Sequence, residues 1–278
     1  MINSIEFDPT YETLFTQNGL MTFDALFAYS QGEMINHNER RDVTVLQLPA
    51  KEGTGVFFMK RFHWPHFKDM FFTFRNVGKL CSQAELEWRN ARTLLDNGIE
   101  TYRPVCWGVQ TCCGIERRSL FVTQKIDGRS LIDFLFERWA AFGASEKEAL
   151  VKAMARFFQK IHRAHLSLPD SYLWHLFVME PIDPQQGYRF AIIDLHRMQI
   201  KAASPRHAAR NLGALFFSLP EEWFDARLRQ LFIETYLEPS SSPVLVNRDA
   251  FLDTLRSREQ MLTDRRKKPG LDRLKQLA

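Results

Sequence analysis

Cysteine is scarce and badly placed for metal. Cys81, Cys106, Cys112 and Cys113 make no CxxC pair and stand near no histidine cluster, so no zinc site is expected. The adjacent Cys112 and Cys113 read as two small hydrophobes beside a turn, not as a redox centre. No basic segment followed by an apolar one opens the chain, and no run approaches the roughly 18 apolar residues of a membrane span. A cytoplasmic location is therefore expected. Internal repeats do not stand out, and strong charge is also lacking. A formal net charge of +4 fits an anionic ligand, an anionic membrane surface or nucleic acid, and chooses none of them.

What is present is a long chain with an ordinary apolar share. Its 278 residues, 45% of them apolar and 24 of them Phe, suffice for two lobes or one large domain with a ring-rich core. Residues 1–20 carry little signal beyond Asp8-Pro9. From 23 to 48 aromatic or β-branched residues alternate with polar ones. Residues 43–48 and 56–60 then read as partner strands around the turn Lys51-Glu-Gly-Thr-Gly, with Lys60 at the end of an antiparallel meander. Phe67, Met70, Phe71 and Phe74 fall at helical spacing among Lys68, Arg75 and Lys79. That face either packs on its own sheet or meets a membrane or lipid-linked substrate.

A helix is expected over 82–97, ended by Gly98, with a stripe of Ala84, Trp88, Ala91, Leu94 and Leu95. Glu87 lies on that stripe, and a carboxylate on a buried face needs a cation, for which Lys60 is the candidate, with local pairing to Arg residues on the helix as the alternative. Residues 101–108 read as a connection and 119–126 as a strand. Asp127-Gly-Arg-Ser reads as a linker, which divides the chain into lobes 1–126 and 127–278. Beyond it the text turns helical, over 131–141 and from a Ser145/Glu148 capping box to His162, with Leu150, Met154, Phe157, Phe158 and Ile161 as core. His162, Arg163 and His165 read as cations at that helix's C-terminal end. Helices are expected over 206–218, 221–236 and from 251 on, with a Pro/Ser loop at 238–246 and a basic run at 265–268.

Between these helices lies the stretch on which the chemistry turns. Residues 176–179 and 190–193 are short β-forming runs, separated by Pro181, Pro184 and Gly187. Asp170 and Asp194 flank this hairpin, and His175 follows Asp170 by five residues. Phosphoryl transfer from ATP needs a cation on the phosphates, a carboxylate to fix that cation, ligands for Mg²⁺ and a carboxylate at the attacking hydroxyl. Lys60, Glu87, Asp170, His175 and Asp194 give every role a candidate, in kinase order.

On Phe58-Met-Lys60-Arg61, the run Glu87-Trp-Arg-Asn-Ala-Arg-Thr-Leu-Leu-Asp-Asn-Gly-Ile, Asp170-Ser-Tyr-Leu-Trp-His175-Leu-Phe and Ile193-Asp194-Leu-His196-Arg197, the sequence resembles the bacterial lipopolysaccharide core kinases, a branch of the protein-kinase-like superfamily. The resemblance covers about residues 20–219. It implies an α+β, two-lobed protein-kinase-like fold: an N-terminal antiparallel sheet with one main helix, then a mostly helical C-terminal lobe. It also implies ATP and Mg²⁺ as cofactors and a heptose or Kdo hydroxyl of the lipopolysaccharide inner core as acceptor. Peripheral contact with the anionic inner membrane is implied too, and no nucleic-acid partner. By position, Lys60 would hold the α/β-phosphates and Glu87 would fix Lys60. Asp170 would orient the sugar hydroxyl and accept its proton. Asp194 would bind Mg²⁺, with His175 where protein kinases use Asn. His196 and Arg197 belong to the signature without an assigned step.

The sequence departs from the family at three places. Leu168-Pro169 stands where many relatives have His-Arg, Asn211 where they have Asp, and the nucleotide-covering stretch near 30–40 has only Gly32. A kinase-like scaffold that binds membrane or a partner protein, and a kinase of another acceptor, remain as alternatives.

Overall fold

The computed structural model describes residues 1–51, 53–64, 81–183, 185, 187–238 and 247–265. The basic-aromatic face at 67–74, the loop at 239–246 and residues 266–268 of the basic run lie outside them. The chain forms two compact units: Met1–Asp96 with Tyr102–Lys125, and Asn97–Thr101 with Ile126–Ala278.

Among the described residues six strands build the first unit: β1 (Ile2–Phe7), β2 (Glu33–Asn38), β3 (Arg41–Pro49), β4 (Thr54–His63), β5 (Pro104–Cys112) and β6 (Ile115–Gln124). They pair antiparallel in the order β1-β5-β6-β4-β3-β2. Alternation along β3 turns Asp42, Thr44, Leu46 and Leu48 inward, the period of a half-buried strand. Among the described residues three helices accompany the sheet: α1 (Pro9–Gln17), α2 (Phe23–Phe27) and α3 (Gln83–Asp96). The core gathers Phe15, Phe23, Leu26, Leu46, Phe57, Met59, Leu120 and Val122.

Several expectations need correction here. Residues 23–27 continue no strand pattern; they are α2, which starts where Thr22 Oγ1 accepts the Ala25 N–H. The 101–108 connection is already strand β5 from Pro104, a position where a missing N–H is tolerated. Residues 1–20 hold β1 and α1. Asp8 caps α1 and Pro9 occupies its first turn.

In the second unit come β7 (Gly128–Ser130), α4 (Leu131–Arg138), α5 (Ala144–Arg163), β8 (Leu176–Met179), β9 (Phe190–Ile192), α6 (Pro205–Ser218), α7 (Ala226–Tyr236) and α8 (Arg248–Arg265). The stretch expected as a linker is strand β7, because Gly128–Ser130 pairs with Phe177–Met179 of β8. The expected hairpin is present, with Leu176 opposite Ile192 and Val178 opposite Phe190. The cap of α5 is displaced from Ser145/Glu148. Gly143 holds the extended N-cap conformation and its N–H reaches Glu146, while Glu148 pairs with Arg227 on α7.

The segment Asn97–Thr101 is bound to β9: Glu100 bridges Ala191 in parallel, the Ile192 N–H donates to the Glu100 carbonyl at 3.1 Å, and Thr101 Oγ1 donates to the Ile192 carbonyl. Helices α6 and α8 meet backbone to side at Gly213. A Cβ there would stand 2.6 Å from the Leu255 carbonyl oxygen and 2.7 Å from Arg258 Cβ.

Candidate active site

Alternation along β4 sends Phe57 and Met59 into the core and leaves Lys60 on the other face. The Lys60 ammonium donates to both carboxylate oxygens of Glu87, at 2.8 and 2.7 Å. Glu87 is on the buried stripe of α3, as its spacing demanded, with its side chain 1% exposed against 20% for Lys60. The Tyr102 hydroxyl adds a longer contact to the same carboxylate. A buried carboxylate met by one ammonium is costly to strip of its partner, so the pair fixes strand to helix at this point. The cation keeps one exposed side.

Residues 33–40, within the stretch expected to cover a nucleotide, are strand β2 and a tight turn at Glu39-Arg40. The Asn38 side-chain oxygen accepts the N–H groups of Arg40 and Arg41, both at 3.0 Å. Gly32 is required for another reason than a phosphate cradle: a Cβ there would fall 2.1 Å from the Val45 carbonyl oxygen.

In the second unit, Asp170 and His175 frame a loop between α5 and β8, and Asp194 follows β9. The Asp170 carbonyl accepts the Tyr172 N–H and also the His175 Nδ1–H, each at 2.8 Å. That second bond selects the His175 tautomer and leaves Nε2 with its lone pair, 3.6 Å from Asp194 Oδ2. His196 Nδ1 donates to the other Asp194 oxygen at 2.6 Å. Asp194 adopts φ +63°, a left-handed backbone that Asp tolerates better than most residues. The structure thus brings His175 and Asp194 together as two donors, with no cluster of three or more His, Cys, Asp or Glu metal donors among the described residues. A Mg²⁺ that arrives with nucleotide takes only one or two protein ligands and completes its shell with phosphate and water. The pair fits such an ion. The Asp170 carboxylate is met by Arg197, whose Nη1 lies 3.2 and 3.3 Å from its two oxygens.

Support for the 167–175 loop comes from two side chains of α6. Asn211 on α6 accepts the Leu168 N–H at 2.8 Å and donates to Ser167 Oγ at 3.1 Å. An amide therefore holds the loop with both of its ends, where a carboxylate could only accept. Leu168 buries its side chain, its N–H donates to Asn211 and its carbonyl accepts from Ser171 Oγ. At the loop's far end, Ser218 Oγ accepts the Leu173 N–H at 2.8 Å.

His162 corrects an expectation: it is no helix-end cation. It is buried, with Nδ1 2.8 Å from the Tyr236 hydroxyl and Nε2 3.2 Å from Asn211 Oδ1. Burial lowers its pKa to about 4 and raises that of Tyr236. A neutral ring with Nε2–H donating to Asn211 and Nδ1 accepting from Tyr236 satisfies every atom. The signal was available, since His162 shares a face with Ala155 and Phe158.

A strand-borne Lys paired to a helix-borne Glu in a β-rich unit, followed by a helical unit with two loop carboxylates, defines a protein-kinase-like fold. A solved structure titled "WaaP in complex with acyl carrier protein" matches at a TM-score of 0.68 and 24% identity, covering 94% of this chain and 99% of that one. A profile of the "Lipopolysaccharide kinase (Kdo/WaaP) family" matches residues 26–236. The chain belongs to that family and is a kinase. A curated relative from Pseudomonas aeruginosa, "Lipopolysaccharide core heptose(I) kinase WaaP", is 27% identical over 192 residues, 67% of this chain and 71% of its own length. Another of the same name from Escherichia coli is 22% identical over 244 residues, 86% of this chain and 91% of its own length.

Proposed function

We propose that this kinase is an ATP- and Mg²⁺-dependent phosphotransferase acting on a heptose hydroxyl of the lipopolysaccharide inner core. The observation that carries the reading is the Asp170–His175–Asp194 cluster, in which one loop offers a carboxylate to a hydroxyl and a tautomer-fixed imidazole beside a second carboxylate. Heptose is favoured over Kdo because the curated relatives are named for it. The contact that the solved neighbour's title records, with an acyl carrier protein, extends the reading to such a protein as a partner. Contact with the surface of the inner membrane belongs to the same reading; among the described residues no helix is long and apolar enough to cross a membrane.

In this reading Lys60, steadied by Glu87, meets the α/β-phosphates. Asp194 and His175 hold Mg²⁺, which when bound offsets charge on the phosphates. Asp170 aligns the acceptor hydroxyl and takes its proton as the new ester forms. The scaffold alternative has no such use for a fixed His175 tautomer.

The test is transfer to lipopolysaccharide core lacking the phosphate, followed by mass spectrometry of the core and by ADP release. One phosphate should be gained. Asp194→Ala should lower turnover by at least about 10³-fold while the circular dichroism spectrum stays unchanged. Wild-type turnover in that variant, or ADP release without core phosphate, would sink the proposal.

A further inference from the structure

We infer that Arg197 is a working part of phosphoryl transfer: it holds the Asp170 carboxylate with one nitrogen and offers the rest of its guanidinium to the transferred phosphoryl group. The inference rests on the reading of Asp170 given above.

Three observations support it. First, the loop that carries Asp170 has no cation of its own. Leu168-Pro-Asp-Ser-Tyr-Leu-Trp-His175 contains neither Lys nor Arg, yet a carboxylate facing a nucleotide's terminal phosphate repels it unless a positive charge stands near both. Lys60 already gives its ammonium to both oxygens of Glu87.

Second, the contact geometry leaves donors unspent. An Arg that braces a carboxylate frequently engages it as a fork, with two nitrogens on two oxygens. Here a single nitrogen, Nη1, is shared between both Asp170 oxygens at 3.2 and 3.3 Å. Nε and Nη2 make no hydrogen bond to a described residue.

Third, the exposures are unequal in the direction the role requires. The Arg197 side chain is 44% exposed and that of Asp170 8%, so the guanidinium is the accessible partner. Its backbone belongs to the turn after Asp194, closed by the Met198 N–H on the Leu195 carbonyl. The residue that would meet Mg²⁺ and the residue that would meet the phosphoryl group thus sit on one short turn.

In the step, the acceptor oxygen forms its bond to the γ-phosphorus and its proton passes to an Asp170 oxygen. The bond from that phosphorus to the β,γ-bridging oxygen breaks, and ADP leaves with the electron pair. Arg197 donates hydrogen bonds throughout and neither gains nor loses a proton.

Steady-state kinetics of Arg197→Ala, Arg197→Lys and Asp170→Asn, each in the full chain, test this. Arg197→Ala should lower kcat by about 10²–10³-fold, leave KM for ATP within about threefold and keep the thermal midpoint. Arg197→Lys should fall between it and the wild type. Millimolar ethylguanidinium should restore Arg197→Ala at least about tenfold and do nothing for Asp170→Asn. A kcat for Arg197→Ala within about threefold of wild type, or above it, overturns the inference. So does a loss that ethylguanidinium leaves unrescued, which marks a brace. If Asp170→Asn itself turns over normally, the reading of the site has failed; if it is inactive while Arg197→Ala is not, only Arg197 has been misassigned.

Discussion

Burial holds the His162 imidazole at a pKa of about 4 against an ordinary 6.5, and its neighbours are matched to the neutral ring. The unfolded chain takes up a proton there below about pH 6.5, whereas the folded chain resists down to about 4. Stability is therefore fully present above the unfolded value and is lost as pH falls across that window, by about 2 kcal/mol between pH 7.5 and 5. Urea unfolding at those two pH values checks this, with His162→Gln expected to lose most of the difference. The presence of Asn in place of Asp at 211 belongs to the same arrangement, since a carboxylate would bring an unpaired charge against a buried neutral ring. Periodicity along the sequence could place His162 on the core face. It could not supply Tyr236 and Asn211, which are 74 and 49 residues away. Lys60 and Glu87 were legible as a pair because both sat on elements whose faces the spacing defined, although Arg89 and Arg92 on the same helix offered a local alternative.

At the scale of elements, α6 acts as a ruler. Asn211 and Ser218 are two turns apart on one face and hold opposite ends of the 167–175 loop. Ala214 and Phe217 between them pack under Tyr172, so loop and helix share one small core. The other side of α6 is set against α8 at Gly213, and this makes a prediction whose sign is informative. Ala normally improves a helix interior over Gly by about 1 kcal/mol. Here the added methyl meets the Leu255 backbone, so Gly213→Ala should destabilise by about 1–3 kcal/mol and speed hydrogen exchange at the Leu168 and Leu173 amides. A raised melting temperature would show that the helices yield easily. Helices α3 to α7 and the β8–β9 hairpin were legible because their apolar patterns are strong, whereas α1 and α2 were missed. Strand β1 was not: it is an edge strand whose residues are mostly exposed, so its pairing with β5 leaves no apolar alternation to read. The cap of α5 was misplaced because Gly143 carries no side chain to announce itself.

At the scale of the molecule, the chain passes into the second unit for Asn97–Thr101, returns for β5 and β6, and leaves again after Lys125. Order along the sequence showed that a sheet-rich part precedes a helical part. It could not show that five residues of the early part complete a later sheet, because a bridge from Glu100 to Ala191 is a long-range event. A fragment of residues 127–278 therefore lacks the acceptor for the Ile192 N–H and the hydroxyl that caps its carbonyl. Such a fragment should melt without a cooperative transition by circular dichroism, whereas residues 97–101 fused ahead of it should restore one. Equal melting of both fragments would mean that β9 needs no such neighbour.

The bond from His175 to residue 170 is made to the main chain. Any side chain at 170 leaves that carbonyl in place, so the His175 tautomer does not depend on the carboxylate that stands beside it. Under the proposed function the loop's two duties are therefore genetically separable. Asp170→Asn is accordingly the form in which nucleotide and acceptor could be held side by side without reacting, and so the natural starting point for capturing the acceptor whole.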